Sequence, residues 1–221
     1  MKKLLSLLIV LTAIGTLLAR QTPLQPDPAA SLSDERYDEL LGRLTALDST
    51  LTPAECAELY YGFATRPEYT GSKGYGEDEV HKLVEQQKYE KVFEQARKIL
   101  EKCPVSLQAY EQILFSGFKL GYSPEQMLPY NFRFGKLLSG IFTSGIGLTK
   151  ETAVRVLAVR DEYVLMRMAF GAQQILGQSL EDMRYDVIKI DTSAVYPGKT
   201  IYFDVTLPMN QTRKAIGAPA L

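Results

Sequence analysis

Apolar residues recur at helical spacing through the first two thirds of the chain and change to shorter, alternating runs in the last third. Ser33 is placed to cap a helix reaching about residue 47, with Tyr37, Leu40, Leu41 and Leu44 along one face. Thr52, Pro53 and Glu55 make a capping box with proline at the first helical position, which predicts a second helix to about Phe63. Over 77–120 two or three helices follow in a helix-turn-helix rhythm. Their inward positions are Val80, Leu83 and Val84, then Val92, Ala96, Ile99 and Leu100, then Tyr110, Ile113 and Leu114. Ser123, Pro124 and Gln126 form another capping box, opening a helix through Phe134, Leu137, Leu138 and Ile141 to a glycine stop at Gly145.

After Gly145 the period shortens. A β-rich run over 153–159 predicts a strand buried on both faces, followed by a helix over 161–170 that stops at Gly171. Three further strands are predicted over 173–180, 185–190 and 200–206, the last alternating Ile201, Phe203 and Val205 against Tyr202, Asp204 and Thr206. Pro208 is read as the end of the sheet and 209–221 as a frayed tail. The expected class is α+β: a helical region over 33–145, then a small, mostly antiparallel sheet with one helix over 146–208.

Ahead of the helices the pattern changes character. Lys2 and Lys3 precede an apolar run over 4–18, and a segment over 21–32 containing Pro23, Pro26 and Pro28 follows. A positive start, an apolar stretch and a helix-breaking exit are the parts of a secretory signal peptide. A run of this length spans only about 22 Å, short of the ~30 Å hydrocarbon core, so a cleaved signal over 1–20 is preferred to a retained membrane helix. Residues 21–32 then read as an extended, proline-rich linker. The expected address is outside the cytoplasm, periplasmic or extracellular, with no stable membrane span after processing.

Composition narrows the chemistry. Lys and Arg number 25 against 26 Asp and Glu, and removing Lys2 and Lys3 leaves a net charge near −3, so there is no basic field for nucleic acid. His81 is the only histidine and Cys56 and Cys103 the only cysteines, which denies zinc its usual ligand set. No nucleotide-binding glycine motif and no GxSxG elbow is present, and no cofactor is expected. His81 stands among Glu77, Asp78, Glu79 and Lys82, the setting of a solvated surface side chain.

Both cysteines fall on apolar helical stripes. Two readings stand: a pair of buried thiols acting as small hydrophobes, or a disulfide between Cys56 and Cys103 that export would permit. No residue is assigned a catalytic or metal-binding role. The acids Asp161, Glu162, Asp186 and Asp204 are the surviving candidates for a carboxylate pair, as helix-capping and solvent-facing groups otherwise. The long connection over 64–76 is rich in Gly and Tyr, and with the preceding helix end it offers Tyr61, Tyr69 and Tyr75 as a candidate binding surface.

The spacing of Tyr89, Ala96, Ile99, Leu100 and Pro104 resembles a degenerate tetratricopeptide repeat, and Tyr110, Ile113, Leu114 and Gly121 stand where a second unit requires them. Val80 and Val92 depart from that pattern, occupying positions that usually hold small residues. A second set of motifs comprises Leu59-Tyr60-Tyr61-Gly62-Phe63, Gly145-Ile146-Gly147-Leu148-Thr149, Asp161-Glu162-Tyr163, Gln178-Ser179-Leu180 and Tyr202-Phe203-Asp204-Val205. Together these resemble an uncharacterised family of exported bacterial proteins recorded as a domain of unknown function. The resemblance implies an address and a fold and carries no activity. The function expected is a non-enzymatic binding or assembly module of the bacterial cell envelope, its partner another envelope protein or a glycan; the alternative is a carboxylate-dependent hydrolase acting on glycans.

Overall fold

The computed structural model describes residues 32–221, so the export signal read over 1–20 and the linker up to residue 31 lie outside the described residues. The class is α+β. The chain divides into a helical unit ending at Gly140 and a mixed unit from Ile141 to Leu221.

In the helical unit, α1 (Asp34–Thr45) begins where the Ser33 side chain accepts the Arg36 N–H, and it buries Tyr37, Leu40 and Leu44. The capping box ahead of α2 (Pro53–Gly62) forms in both directions, from Thr52 to the Glu55 backbone and back. Arg43 ties the connection together, meeting Asp48 at 2.8 Å and Glu55 at 2.5 Å. Helices α3 (Glu77–Glu85), α4 (Tyr89–Lys102) and α5 (Leu107–Leu120) follow. Val80, Val92, Ala96, Ile99, Ala109, Ile113 and Met127 form a buried core cluster; Val80, Val92, Ala96, Ile99 and Ile113 belong to the inward set expected from the 3.6-residue period, whereas Leu83, Val84, Leu100 and Leu114 of that set pack against it only partly buried. Gly121, at φ +73°, closes α5 in the left-handed region that glycine reaches without a Cβ penalty.

Helix α6 (Pro124–Ile141) opens on the expected capping box, with Ser123 N–H donating to Gln126 Oε1 at 2.8 Å. It holds the α1–α2 connection from the side. Arg133 donates to the Thr45 carbonyl at 2.8 Å, and Lys136 Nζ reaches the Ser49 and Leu51 carbonyls at 2.8 and 2.7 Å. Gly140 lets this helix touch α2, since a Cβ there would stand 2.5 Å from the Ala57 nitrogen. The helix ends at Ile141 rather than at Gly145. Gly145 serves a different need: a Cβ there would lie 2.2 Å from the Thr152 carbonyl oxygen, so it permits a tight backbone crossing.

The mixed unit is a four-stranded sheet in the order β1-β4-β3-β2, where β1 is Val154–Arg155, β2 Ile175–Glu181, β3 Tyr185–Ile190 and β4 Thr200–Asp204. β1 pairs with β4 in parallel and the other neighbours are antiparallel. Opposed residues share a face, so Val154, Phe203, Ile201, Ile188 and Asp186 point one way, and Arg155, Asp204, Tyr185 and Val187 the other. Phe170, just past α7 (Val159–Met168), packs its ring 6.1 Å from Phe203 and 4.8 Å from Tyr196.

Three expectations are corrected here. The run over 153–159 is buried as expected, but only two of its residues pair, and the backbone enters α7 at Val159. Residues 206–215 form a helix, α8 (Thr206–Ala215), where a strand end and a frayed tail were expected. Pro208 lies in the first turn of α8, where its missing N–H has no intrahelical carbonyl to lose, so it starts a helix instead of only ending a sheet. The unit thus carries two helices and not one.

Candidate functional site

Tyr61, Tyr69 and Tyr75 do not form an open surface. Tyr61 is buried at the end of α2, with its ring 5.0 Å from that of Tyr60 in an edge arrangement. Tyr69 is buried too, 6.2 Å from Phe63, and Tyr75 is half-buried 6.3 Å from the same ring. The Tyr75 hydroxyl accepts from the Thr70 N–H and donates to the Glu68 carbonyl, closing the connection on itself. Burial raises the Tyr75 phenol above its usual range. Two of the three therefore meet at Phe63, as packing. A thirteen-residue connection without periodicity looks open in sequence; here Phe63, which belongs to a 3-10 turn, supplies a core for it.

An apolar surface lies elsewhere on the helical unit. Phe115, Phe118, Lys119 and Tyr122 fall at i, i+3, i+4 and i+7, and all four are exposed. Phe118 is 68% exposed, and Leu128 at the start of α6 is 57% exposed. Tyr89 and Phe93 on α4 support the stripe from beneath. The Tyr89 ring stands edge-on 5.9 Å from Phe115, and Phe93 stands 5.1 Å from Tyr122 and 5.7 Å from Tyr130. Lys119 Nζ lies 5.3 Å from the Phe115 ring and 5.9 Å from that of Tyr89, within cation–π range. The signal for this stripe is in the sequence: α5 carries apolar residues on more of its circumference than one buried face needs.

The cysteines are both buried and no disulfide joins them, and burial raises the Cys56 thiol above its ordinary value. His81 is exposed beside Glu85 at 3.6 Å. Among the described residues no cluster of three or more His, Cys, Asp or Glu side chains is arranged to hold a metal ion, and no helix is long and apolar enough to cross a membrane.

The acids are where the mixed unit departs from an ordinary surface. Asp161, Glu162, Asp186 and Asp204 are all buried, so the strand aspartates do not face solvent. Asp204 has cationic partners, Arg184 at 2.9 Å and Arg155 at 3.6 Å, and accepts the Thr206 N–H that starts α8. Glu162 has none of these. Among the described residues neither of its oxygens has a hydrogen-bond partner, and the Asp186 carboxyl acts on it through its charge. Burial first, then the neighbouring Asp186 and Asp161 charges, push Glu162 up to about 10, so it holds the proton at neutral pH. Asp186 accepts from Gln178 Nε2 at 2.6 Å, and Gln178 accepts the Tyr163 hydroxyl at 2.9 Å. The result is a short chain of hydrogen bonds from Tyr163 through Gln178 to Asp186.

No curated protein and no solved structure matches the chain. A family model does, over residues 30–214, which takes in nearly every element described above. The chain belongs to the family described as Domain of unknown function (DUF4919).

Proposed function

We propose that this chain is a non-enzymatic binding module that works in the cell envelope and contacts a protein partner through the Phe115, Phe118, Tyr122 and Leu128 surface. The observation carrying this reading is the exposure of Phe118 and Leu128 together with Phe115 and Tyr122 rings braced by aromatic neighbours. Leaving such side chains in water forgoes roughly 1.5 to 3 kcal/mol each relative to burial, and contiguous apolar patches on soluble proteins mark contact surfaces. Aromatic residues held rigid by their neighbours lose little entropy on docking, which suits them to act as anchors. The envelope address rests on Lys2, Lys3 and the apolar run that follows.

Two measurements test the proposal. A Phe115→Ala, Phe118→Ala, Leu128→Ala variant is expected to lose capture of envelope proteins while melting within a few degrees of the parent. Equal capture by both proteins would remove the surface from consideration. Mass spectrometry of protein from the native host is expected to find an N-terminus between residues 14 and 22. Retention of Met1 on most molecules would contradict export by a cleaved signal.

A further inference from the structure

Among the described residues β2 is an edge strand whose one neighbour is β3. The register tells which of its backbone groups are used. Asp191 N–H donates to the Gln174 carbonyl and Ile190 N–H to the Lys199 carbonyl, so alternate residues of β3 turn toward β2 and toward β4. Lys189 and Val187, in step with Asp191, oppose Gly177 and Ser179. Those two residues spend their backbone groups on β3, and Gln178 and Leu180 direct theirs outward. At the start of the strand Ile175 and Leu176 together oppose Ile190, a bulge that turns Leu176 out as well.

This open edge lacks the usual guards. It carries no lysine and no proline, and its single charge, Glu181, is held by Lys150 at 2.8 Å. Leu176 is 65% exposed and Leu180 46%. Leu176, Gly177, Gln178, Ser179 and Leu180 also read the same by size in either direction: large, small, Gln, small, large. A symmetric contact requires self-complementarity of that kind.

We infer that β2 is the contact strand of a twofold dimer, pairing antiparallel with the same strand of a second copy about Gln178. In that register Leu176 lies against Leu180 of the partner subunit and Gly177 against Ser179 of the partner subunit. The outward N–H and C=O groups of Leu176, Gln178 and Leu180 are satisfied in the same step, and the two sheets join into one. A foreign strand could satisfy the backbone groups but has no reason to match the palindrome.

Cysteine cross-linking reads the register directly. Opposed residues stand about 5.5 Å apart between Cα atoms, within disulfide reach, whereas Leu176 of one copy and Leu176 of the partner subunit stand about 14 Å apart. Leu176→Cys protein mixed with Leu180→Cys protein is therefore expected to give a disulfide dimer under mild oxidation. Neither variant alone, nor the parent with its buried Cys56 and Cys103, is expected to do so. Light scattering of the parent across concentrations should show a monomer–dimer equilibrium, weakened at least about tenfold by Leu176→Lys, a change at an exposed position that circular dichroism can check for folding. A parent that stays monomeric, or Leu176→Cys protein that cross-links as well alone as in the mixture, overturns the inference.

Discussion

Glu162 on α7 and Asp186 on β3 are both buried carboxyls, and the Asp186 charge adds to burial in raising Glu162. The raised Glu162 sets the sign of a pH dependence. Glu162 binds its proton more tightly folded than unfolded, with about 10 in place of 4.5, so the folded state carries the extra proton between those values. The stability linked to protonated Glu162 is complete below about pH 4.5 and falls as pH rises toward 10, at up to about 1.4 kcal/mol per pH unit. Glu162→Gln nearly keeps the side chain's shape and cannot ionise. Urea unfolding at pH 5, 7 and 9 is expected to show a falling profile for the parent and a flatter one for the variant, with the variant ahead at pH 9. Parallel profiles would mean that Glu162 is ionised in the fold.

Asp204 works in the opposite direction. Burial alone would raise its pKa, but hydrogen bonds from Thr206 and Arg184 and the charge of Arg155 outweigh burial and leave it below the usual carboxylate value. Its contribution is present above the unfolded value of 3.8 and is lost as pH falls below that. Removing one member of a buried ion pair costs roughly 3 to 5 kcal/mol. Asp204→Ala should therefore be strongly destabilised at pH 7, with the gap to the parent narrowing on acidification.

Phe203 and Tyr202 test the faces of β4. Phe203 opposes Asp186 and Val154 on the covered face and is fully buried, while Tyr202 opposes Val187 on the other face and is partly exposed. Phe203→Ala is expected to cost about 3 to 5 kcal/mol in chemical denaturation, and Tyr202→Ala clearly less. Equal losses would place the strand in another register.

The elements legible from sequence are those fixed within a few residues. Thr52 with Glu55 and Ser123 with Gln126 announce helix starts through side chains that bond the adjacent backbone, and β4 alternates buried Ile201 and Phe203 with half-buried Tyr202. What escaped depends on distant partners. Glu162 and Asp186 are 24 positions apart, and nothing local to either says that the sheet register will bring them together. Tyr69 and Tyr75 look like loop residues until Phe63 is seen between them. The α8 helix was obscured by Pro208, a residue that both ends strands and begins helices.

The β2–β3 hairpin offers a stabilising change. Asp182 and Met183 both adopt positive φ, 53° and 56°, and the Arg184 N–H donates back to the Glu181 carbonyl. Turns of this hand favour Asn or Asp followed by Gly, and methionine in the left-handed region costs roughly 1 kcal/mol. Met183→Gly is expected to raise stability by about 0.5 to 1 kcal/mol, measured by the urea midpoint at unchanged slope. A loss of stability would mean that the half-exposed Met183 side chain makes packing that outweighs its backbone strain.

Stability measurements can also separate packing aromatics from contact aromatics. Tyr69 is buried against Phe63, so Tyr69→Ala should cost about 3 to 5 kcal/mol, in the range of other buried aromatic truncations. Phe118 makes little of the core and stands mostly in water, so Phe118→Ala should change stability by no more than about 0.5 kcal/mol. A side chain that contributes so little to folding and exposes so much apolar surface is free to serve an encounter with another molecule. If Phe118→Ala instead destabilises the chain as much as Tyr69→Ala, the ring is structural and the proposed contact surface loses its central residue.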